Sequence, residues 1–180
     1  PGGDPMSRIL LCCGASAAIF KACDLASKLF QAGDQVRVAM TPNAGKLISP
    51  QLFEALTSEP AATSEWGPDR RTAMDHIDLA RWTEKVVVAP ASADLIARIA
   101  LGVANDLVTT TLLAVPQSVP RLLCPAMNPT MLAAPSVVRN LAQLVEDGWQ
   151  VLDSEEGHMA CGEEGQGRLV DPERIVEVLA

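Results

Sequence analysis

Apolar residues in this chain fall in short, unalternated blocks, each closed by Gly, Pro or a hydroxyl side chain and followed by apolar positions three or four apart. The blocks read as parallel strands covered on both faces, and the spacings after them as amphipathic helices. The pattern is clearest over 85–106, KVVVAPASADLIARIALGVAND. There Val86, Val87 and Val88 give a buried strand, Pro90 closes it, and Ile96, Ile99 and Ala100 repeat at helical spacing. Arg8–Cys13 is a second such strand, followed by Gly14, Ala15 and Ser16 and by a helix through Leu29 that Gly33 ends. Further strands are expected over 35–40, 122–124 and 150–152, and further helices over 51–56, 107–114, 136–147 and 175–179. The caps agree: Thr41-Pro42, Ser49-Pro50, Asn105-Asp106 and Asp171-Pro172 stand where helices should start, and Gly148 where one should stop. Two stretches break the pattern. Residues 57–73 are polar and rich in turn formers, while 154–168 (SEEGHMACGEEGQGR) crowd four glycines and five charges together. Both are expected to be loops, the second a mobile one.

Alternating strands and helices predict an α/β protein, a single Rossmann-like (flavodoxin-like) parallel sheet with helices on both faces. Ligands of such sheets lie beyond the carboxyl ends of the strands, where Ser16, Thr41, Ser92 and Asn128 fall. The length of 180 residues fits one domain, taken as 8–180, behind a disordered or expression-derived tail over 1–7. A net charge of -8 weighs against a nucleic-acid partner. No apolar run approaches the ~20 residues needed to cross a bilayer, so no membrane is expected. Cys12, Cys13, Cys23, Cys124 and Cys161 form neither a CxxC pair nor a secreted framework, which predicts reduced thiols in the cytoplasm and no metal site. Only Cys161 sits among glycines and charges.

Small residues at Gly14, Ala15 and Ser16 would let the backbone approach a phosphate at a positive helix end, although no GxGxxG fingerprint is present. Ser92 is either an ordinary N-cap or a hydroxyl facing an anion or the polar edge of a ring. Thr109, Thr110 and Thr111 either pack or line a site.

Five segments, in this order and at this spacing, resemble the flavin-containing cysteine decarboxylases (HFCD), which include phosphopantothenoylcysteine decarboxylase and the lantibiotic peptidyl-cysteine decarboxylases. They are GASAAIFKA (14–22), HIDLARW (76–82), PASADLIARIALGVANDLVTT (90–110), PAMNPTM (125–131) and ACGEEGQGR (160–168). The last is similar to the substrate clamp of the phosphopantothenoylcysteine branch. The resemblance implies FMN at a subunit interface of a homotrimer, or of a dodecamer of four trimers. Ala15, Ser16, Ala17, Thr41, Ser92, Ala93, Asp94, Leu95 and the backbone at Ala126 would surround it. It also implies the conversion of 4'-phosphopantothenoylcysteine to 4'-phosphopantetheine in coenzyme A biosynthesis. The cysteinyl thiol is oxidised to a thioaldehyde, carbon dioxide leaves, and the enethiol is reduced again.

On the same resemblance, His76 handles a proton in the oxidative half, a role suited to an ordinary pKa near ~6.5. Asn128 binds the substrate carboxylate through an uncharged amide. Cys161, with an ordinary thiol pKa near ~8.5, donates the proton that completes reduction of the enethiol. Ala160, Gly162 and Arg168 belong to the substrate clamp, and Arg168 either meets substrate phosphate or balances Glu163 and Glu164. Three positions depart from the family pattern: Asp94 and Leu95 stand where its PASANT motif has Asn and Thr, and Leu132 where a Trp often follows. An ionised Asp accepts hydrogen bonds but cannot donate one. Rival readings are a peptidyl-cysteine decarboxylase, a more distant flavin prenyltransferase and a non-catalytic flavin-binding regulatory protein. Retention of His76 and Cys161 speaks against the last. Many bacterial members of the family continue into a synthetase domain, an expected partner in the native chain.

Overall fold

A computed structural model describes residues 6–67, 70, 72–158, 162 and 164–180. Residues 1–5 of the tail expected over 1–7, and two expected site residues, Ala160 and Cys161, lie outside the described residues. Ser7, assigned to the tail from sequence, already belongs to the fold: its N–H donates to Asp34 Oδ1 at 3.0 Å and its carbonyl accepts from Gln35 at 2.9 Å.

The strands are β1 (Arg8–Cys13), β2 (Gln35–Met40), β3 (Lys85–Ala91), β4 (Arg121–Pro125) and β5 (Gln150–Val151). They form one parallel sheet in the order β2-β1-β3-β4-β5, the doubly wound order whose switch point lies between β1 and β3. Successive strand side chains point to opposite faces, so an unalternated apolar run must be covered twice. Ile9, Leu11, Val38 and Val87 accordingly pack under α1 (Ile19–Gln31), α2 (Pro50–Thr57) and α8 (Pro172–Leu179). Leu10, Cys12, Val86 and Val88 pack on the other face under α3 (Asp75–Trp82), α4 (Ala93–Leu101), α5 (Leu107–Ala114) and α7 (Pro135–Glu146). No described helix is long and apolar enough to cross a membrane.

The structure differs from the sequence reading in several places, and Thr41-Pro42 leads only into a 3₁₀ turn over Ala44–Lys46. The central strand runs one residue past Pro90, across a register shift against β4. Residues 75–82 form α3, whose eight residues include few apolar ones to mark a face. Within the 57–73 stretch, Ala62 pairs with the edge of β2, donating to Val38 O at 2.8 Å and accepting from Met40 N at 2.9 Å. The segment expected to be a mobile loop is instead an antiparallel ribbon, β6 (Glu155–His158) with β7 (Glu164–Arg168). Glycines conceal that ribbon in the sequence because they supply no side-chain alternation, yet they pair readily when neighbouring structure holds them extended. Asp171 precedes α8 as expected but does not cap it with its side chain. Its carboxylate takes Lys21 Nζ at 2.6 Å and Arg168 Nη2 at 3.0 Å instead.

Candidate active site at the carboxyl edge of the sheet

The carboxyl ends of the four long strands are laced together. Gly14 N–H donates to Pro90 O (2.9 Å), Thr41 N–H to Cys13 O (3.0 Å) and Ala126 N–H to Ala91 O (3.0 Å). Gly14 is required by close approach: a Cβ there would lie 2.8 Å from Pro90 O and 3.2 Å from Ser92 N. The chain can therefore turn from β1 into α1 directly beside the start of α4, and both turns flank the switch point. Ala15 and Ser16 are half-buried and Ala17 is exposed, with Ser16 Oγ accepting from Ala18 N–H at 3.3 Å. Thr41 is buried, and its hydroxyl accepts from Ala44 N–H at 3.2 Å.

Ser92 caps α4: its Oγ accepts from Leu95 N–H at 3.3 Å. The N–H groups of Ala93 and Asp94 keep no acceptor among the described residues, and they sit at the positive end of a helix, where an anionic ligand is favoured. The side chains at 94 and 95 are turned elsewhere. Asp94 Oδ2 accepts from Arg98 Nε at 3.1 Å and Nη2 at 2.8 Å, so the charge standing where the family has a neutral amide is met within the chain. Leu95 is fully buried against Gly14, leaving only its backbone near the edge, and that N–H is taken by Ser92. Ala126 is buried too, with its N–H committed to β3.

Asn128 is the N-cap of α6 (Pro129–Leu132), accepting from Met131 N–H at 2.8 Å through Oδ1. Capping occupies the amide oxygen, and the two Nδ2 donors have no acceptor among the described residues. They are the half of the amide that would meet a carboxylate. The ribbon docks on this same turn. Met127 N–H donates to Gly167 O at 3.1 Å, and a Cβ on Gly165 would come within 3.0 Å of Pro129 Cγ. The two sequence segments most specific to the family, 125–131 and 160–168, are thus in contact. Gly162 is exposed. Arg168 is engaged by Glu155 and Asp171, both at 3.0 Å, and its stem lies across Gly157. Glu163 and the side chain of Glu164, the other expected partners of Arg168, lie outside the described residues.

His76 is the second residue of α3, and its Nδ1 lies against Oε1 of Glu65 from the preceding loop, an ion-pair contact outside hydrogen-bond geometry. None of the described contacts joins it to Ser16, Ser92 or Asn128. Glu65 carries no sequence signal: it is one acid in a polar stretch, and only the path of the loop brings it to the imidazole. Asp106 is a second residue whose importance shows in the structure. It caps α5 through a reciprocal pair with Thr109 and takes Arg98 Nη1 at 2.5 Å. Burial pushes its carboxyl pKa up, but the Thr109 N–H, Arg98 and the Thr109 hydroxyl outweigh this, and the net direction is down. Thr109 is therefore explained by capping, while Thr111 is buried with no partner for its hydroxyl among the described residues.

Cys12, Cys13, Cys23 and Cys124 are free and buried, and desolvation raises each thiol pKa, that of Cys124 to about 12. Such thiols stay protonated and unreactive. A cavity of about 520 Å³ between Arg98, Leu112, Arg121 and Trp149 lies beside the starts of β4 and β5, and none of the expected site residues lines it. What the carboxyl edge offers is free helix N–H groups for an anion, an amide for a carboxylate and an imidazole backed by a carboxylate for proton transfer. Those donors fit the phosphate and polar ring edge of a flavin mononucleotide.

A family model described as Flavoprotein matches residues 2–180. The coenzyme A biosynthesis bifunctional protein CoaBC of Bacillus subtilis is 42% identical over 171 residues, covering 95% of this chain and 42% of that protein. The chain thus spans well under half the length of the curated relatives it matches. Among solved structures, a PPC decarboxylase mutant complexed with pantothenoylaminoethenethiol has a TM-score of 0.83 at 25% identity, with 97% of this chain and 96% of that one covered. The FMN-dependent cysteine decarboxylase SpaF has a TM-score of 0.78 at 28% identity, with 96% and 94% covered. Sheet order, strand-end site and a match over nearly the whole length agree: the chain belongs to the Flavoprotein family.

Proposed function

We propose that this chain is an FMN-dependent decarboxylase that converts 4'-phosphopantothenoylcysteine to 4'-phosphopantetheine in coenzyme A biosynthesis. The observation that carries the reading is the seating of the β6–β7 ribbon on the Pro-Ala-Met-Asn turn, through Met127 and Gly167. It brings β7, which ends at Arg168, against the turn that Asn128 opens, a seating that supports a substrate clamp drawn from the same segment. FMN, bordered by residues 15–17, Thr41, residues 92–95 and Ala126, supplies a two-electron acceptor that oxidises the cysteinyl thiol and later returns the pair.

The chain's own groups do the rest. His76 accepts the proton that the thiol gives up as the thioaldehyde forms. Asn128 holds the adjacent carboxylate through neutral N–H donors, which orient it without the charge attraction that would oppose its loss. Once carbon dioxide has left, Cys161 donates a proton to the enethiol carbon framework as reduction is completed. Ala160 and Gly162 close over the substrate, while Arg168 stiffens the base of the ribbon through Glu155 and Asp171. The assembly is proposed as a homotrimer or a dodecamer, a reading supported by exposed apolar Phe20, Leu101 and Leu113. Free buried cysteines support a cytoplasmic setting. The length of the bifunctional relatives supports a fused synthetase domain in the native protein.

Carbon dioxide release should be measured from phosphopantothenoylcysteine and from a Cys-terminated peptide. Turnover of the first supports the proposal, whereas turnover of the peptide alone would make the chain a peptidyl-cysteine decarboxylase. Bound flavin with neither activity would make it a regulatory flavoprotein. His76→Asn should abolish release while flavin remains bound. Cys161→Ser should still release carbon dioxide but accumulate the oxidised enethiol, and a normal aminothiol yield from that variant would remove Cys161 from the mechanism.

A further inference from the structure

The contact between His76 and Glu65 goes beyond the reading above. Glu65 reaches the imidazole from a loop that is fixed three residues earlier, where Ala62 pairs with β2. Immediately after it, Ser64 Oγ accepts from Trp66 N–H at 3.0 Å, turning the chain so that Trp66 is 80% exposed while the Glu65 side chain is only 19% exposed. The His76 side chain is 22% exposed. In a chain of net charge -8, a carboxylate withdrawn from water needs a positive or donating neighbour, and the group against it is Nδ1 of His76. Nδ1 is buried and makes no hydrogen bond among the described residues: the Glu65 oxygen lies against it off the N–H direction, as an ion-pair contact.

We infer that Glu65 is a positioning residue: its carboxylate lies against Nδ1 of His76 and, with a small turn of the ring, accepts the Nδ1–H, fixing the neutral tautomer whose free Nε2 takes the substrate proton. A carboxylate behind a histidine holds the ring's orientation and stabilises the cation that forms when Nε2 is protonated, as in other acid–base pairs of this kind. The inference rests on the decarboxylase reading for its chemistry but not for its geometry, so two readouts separate them.

¹⁵N-histidine NMR of the FMN-loaded protein, with His76→Asn identifying the signal, should show His76 protonated at Nδ1 and bare at Nε2. In Glu65→Ala the signal should move toward the Nε2–H form that free imidazole favours. In turnover, Glu65→Ala and the isosteric Glu65→Gln should lower kcat by roughly tenfold or more, a share of the ~10²–10⁴ that a positioned acid–base group supplies, with KM and flavin occupancy little changed. Glu65→Asp should recover part of the loss. An unchanged tautomer in the Ala variant overturns the inference, as does a loss expressed only in KM or flavin binding. Wild-type protein that releases no carbon dioxide sinks the decarboxylase reading alone, and the tautomer measurement still decides the role of Glu65.

Discussion

A methyl group at Gly14 would sit 2.8 Å from the Pro90 carbonyl oxygen and 3.1 Å from Leu95 Cδ2, and the first of these is backbone that cannot swing aside. Gly14→Ala should therefore destabilise the protein by about 1–3 kcal/mol, as other overpacked sites do, and weaken flavin binding by prising apart the two turns at the switch point. A lowered thermal midpoint together with a raised Kd for FMN would bear this out, and an unchanged Kd would detach Gly14 from the site. At this scale the sequence was informative wherever a residue acts through its own chemistry. Ser92 and Asn128 cap their helices as their residue types demand, and His76 stood out as one of two histidines in the chain. It was uninformative wherever a residue acts through a partner chosen by the fold. Neither the carboxylate of Glu65 behind His76 nor the pairing of Arg168 with Glu155 and Asp171 follows from residue type or spacing.

Among the elements, α4 and α5 are joined by a charged contact, Arg98 between Asp94 and Asp106. Both Arg98 and Asp106 side chains are largely buried, at 16% and 9% exposure. Asp106→Ala removes a helix cap and leaves Arg98 short of a partner, and should cost roughly 2–3 kcal/mol. Asp106→Asn keeps the cap and loses the charge, which isolates the pH dependence. The native pKa of Asp106 is lowered, so its contribution is fully present above the unfolded value near ~3.9 and fades as pH falls through the native one. Urea midpoints of wild type and Asp106→Asn should therefore differ at pH 6 and begin to converge only as pH falls below about 4. The five parallel strands were legible because each is an apolar block buried on both faces. The β6–β7 ribbon was not, because its strand character comes from docking on Pro129 and Met127 rather than from its own alternation. The short α3 escaped notice for a related reason, since eight residues give too few apolar positions to define a period.

For the whole molecule, a ligand that binds only the folded state raises stability by mass action, about 2.7 kcal/mol at a hundredfold excess over its Kd. At ~2–4 °C per kcal/mol for a chain of this size, saturating FMN should raise the melting temperature by roughly 5–10 °C, and riboflavin without its phosphate by less. A folded preparation that stays colourless and shows no shift with FMN would remove the flavin from the site. Fold class was readable over this whole span because alternating strand and helix signals admit few topologies. The convergence of four strand ends on one edge followed from that topology, whereas the lacing by Gly14, Thr41 and Ala126 required coordinates. The single bridge made by Ala62 has an effect out of proportion to its size. An outermost strand offers its unpaired amides to any passing chain, and β2 is outermost on its side. Ala62 covers the carbonyl of Val38 and the N–H of Met40 at the carboxyl half of that margin. Ala62→Pro, which deletes the donated N–H, should leave the monomer folded yet make it scatter light on gentle warming, as uncovered borders recruit one another.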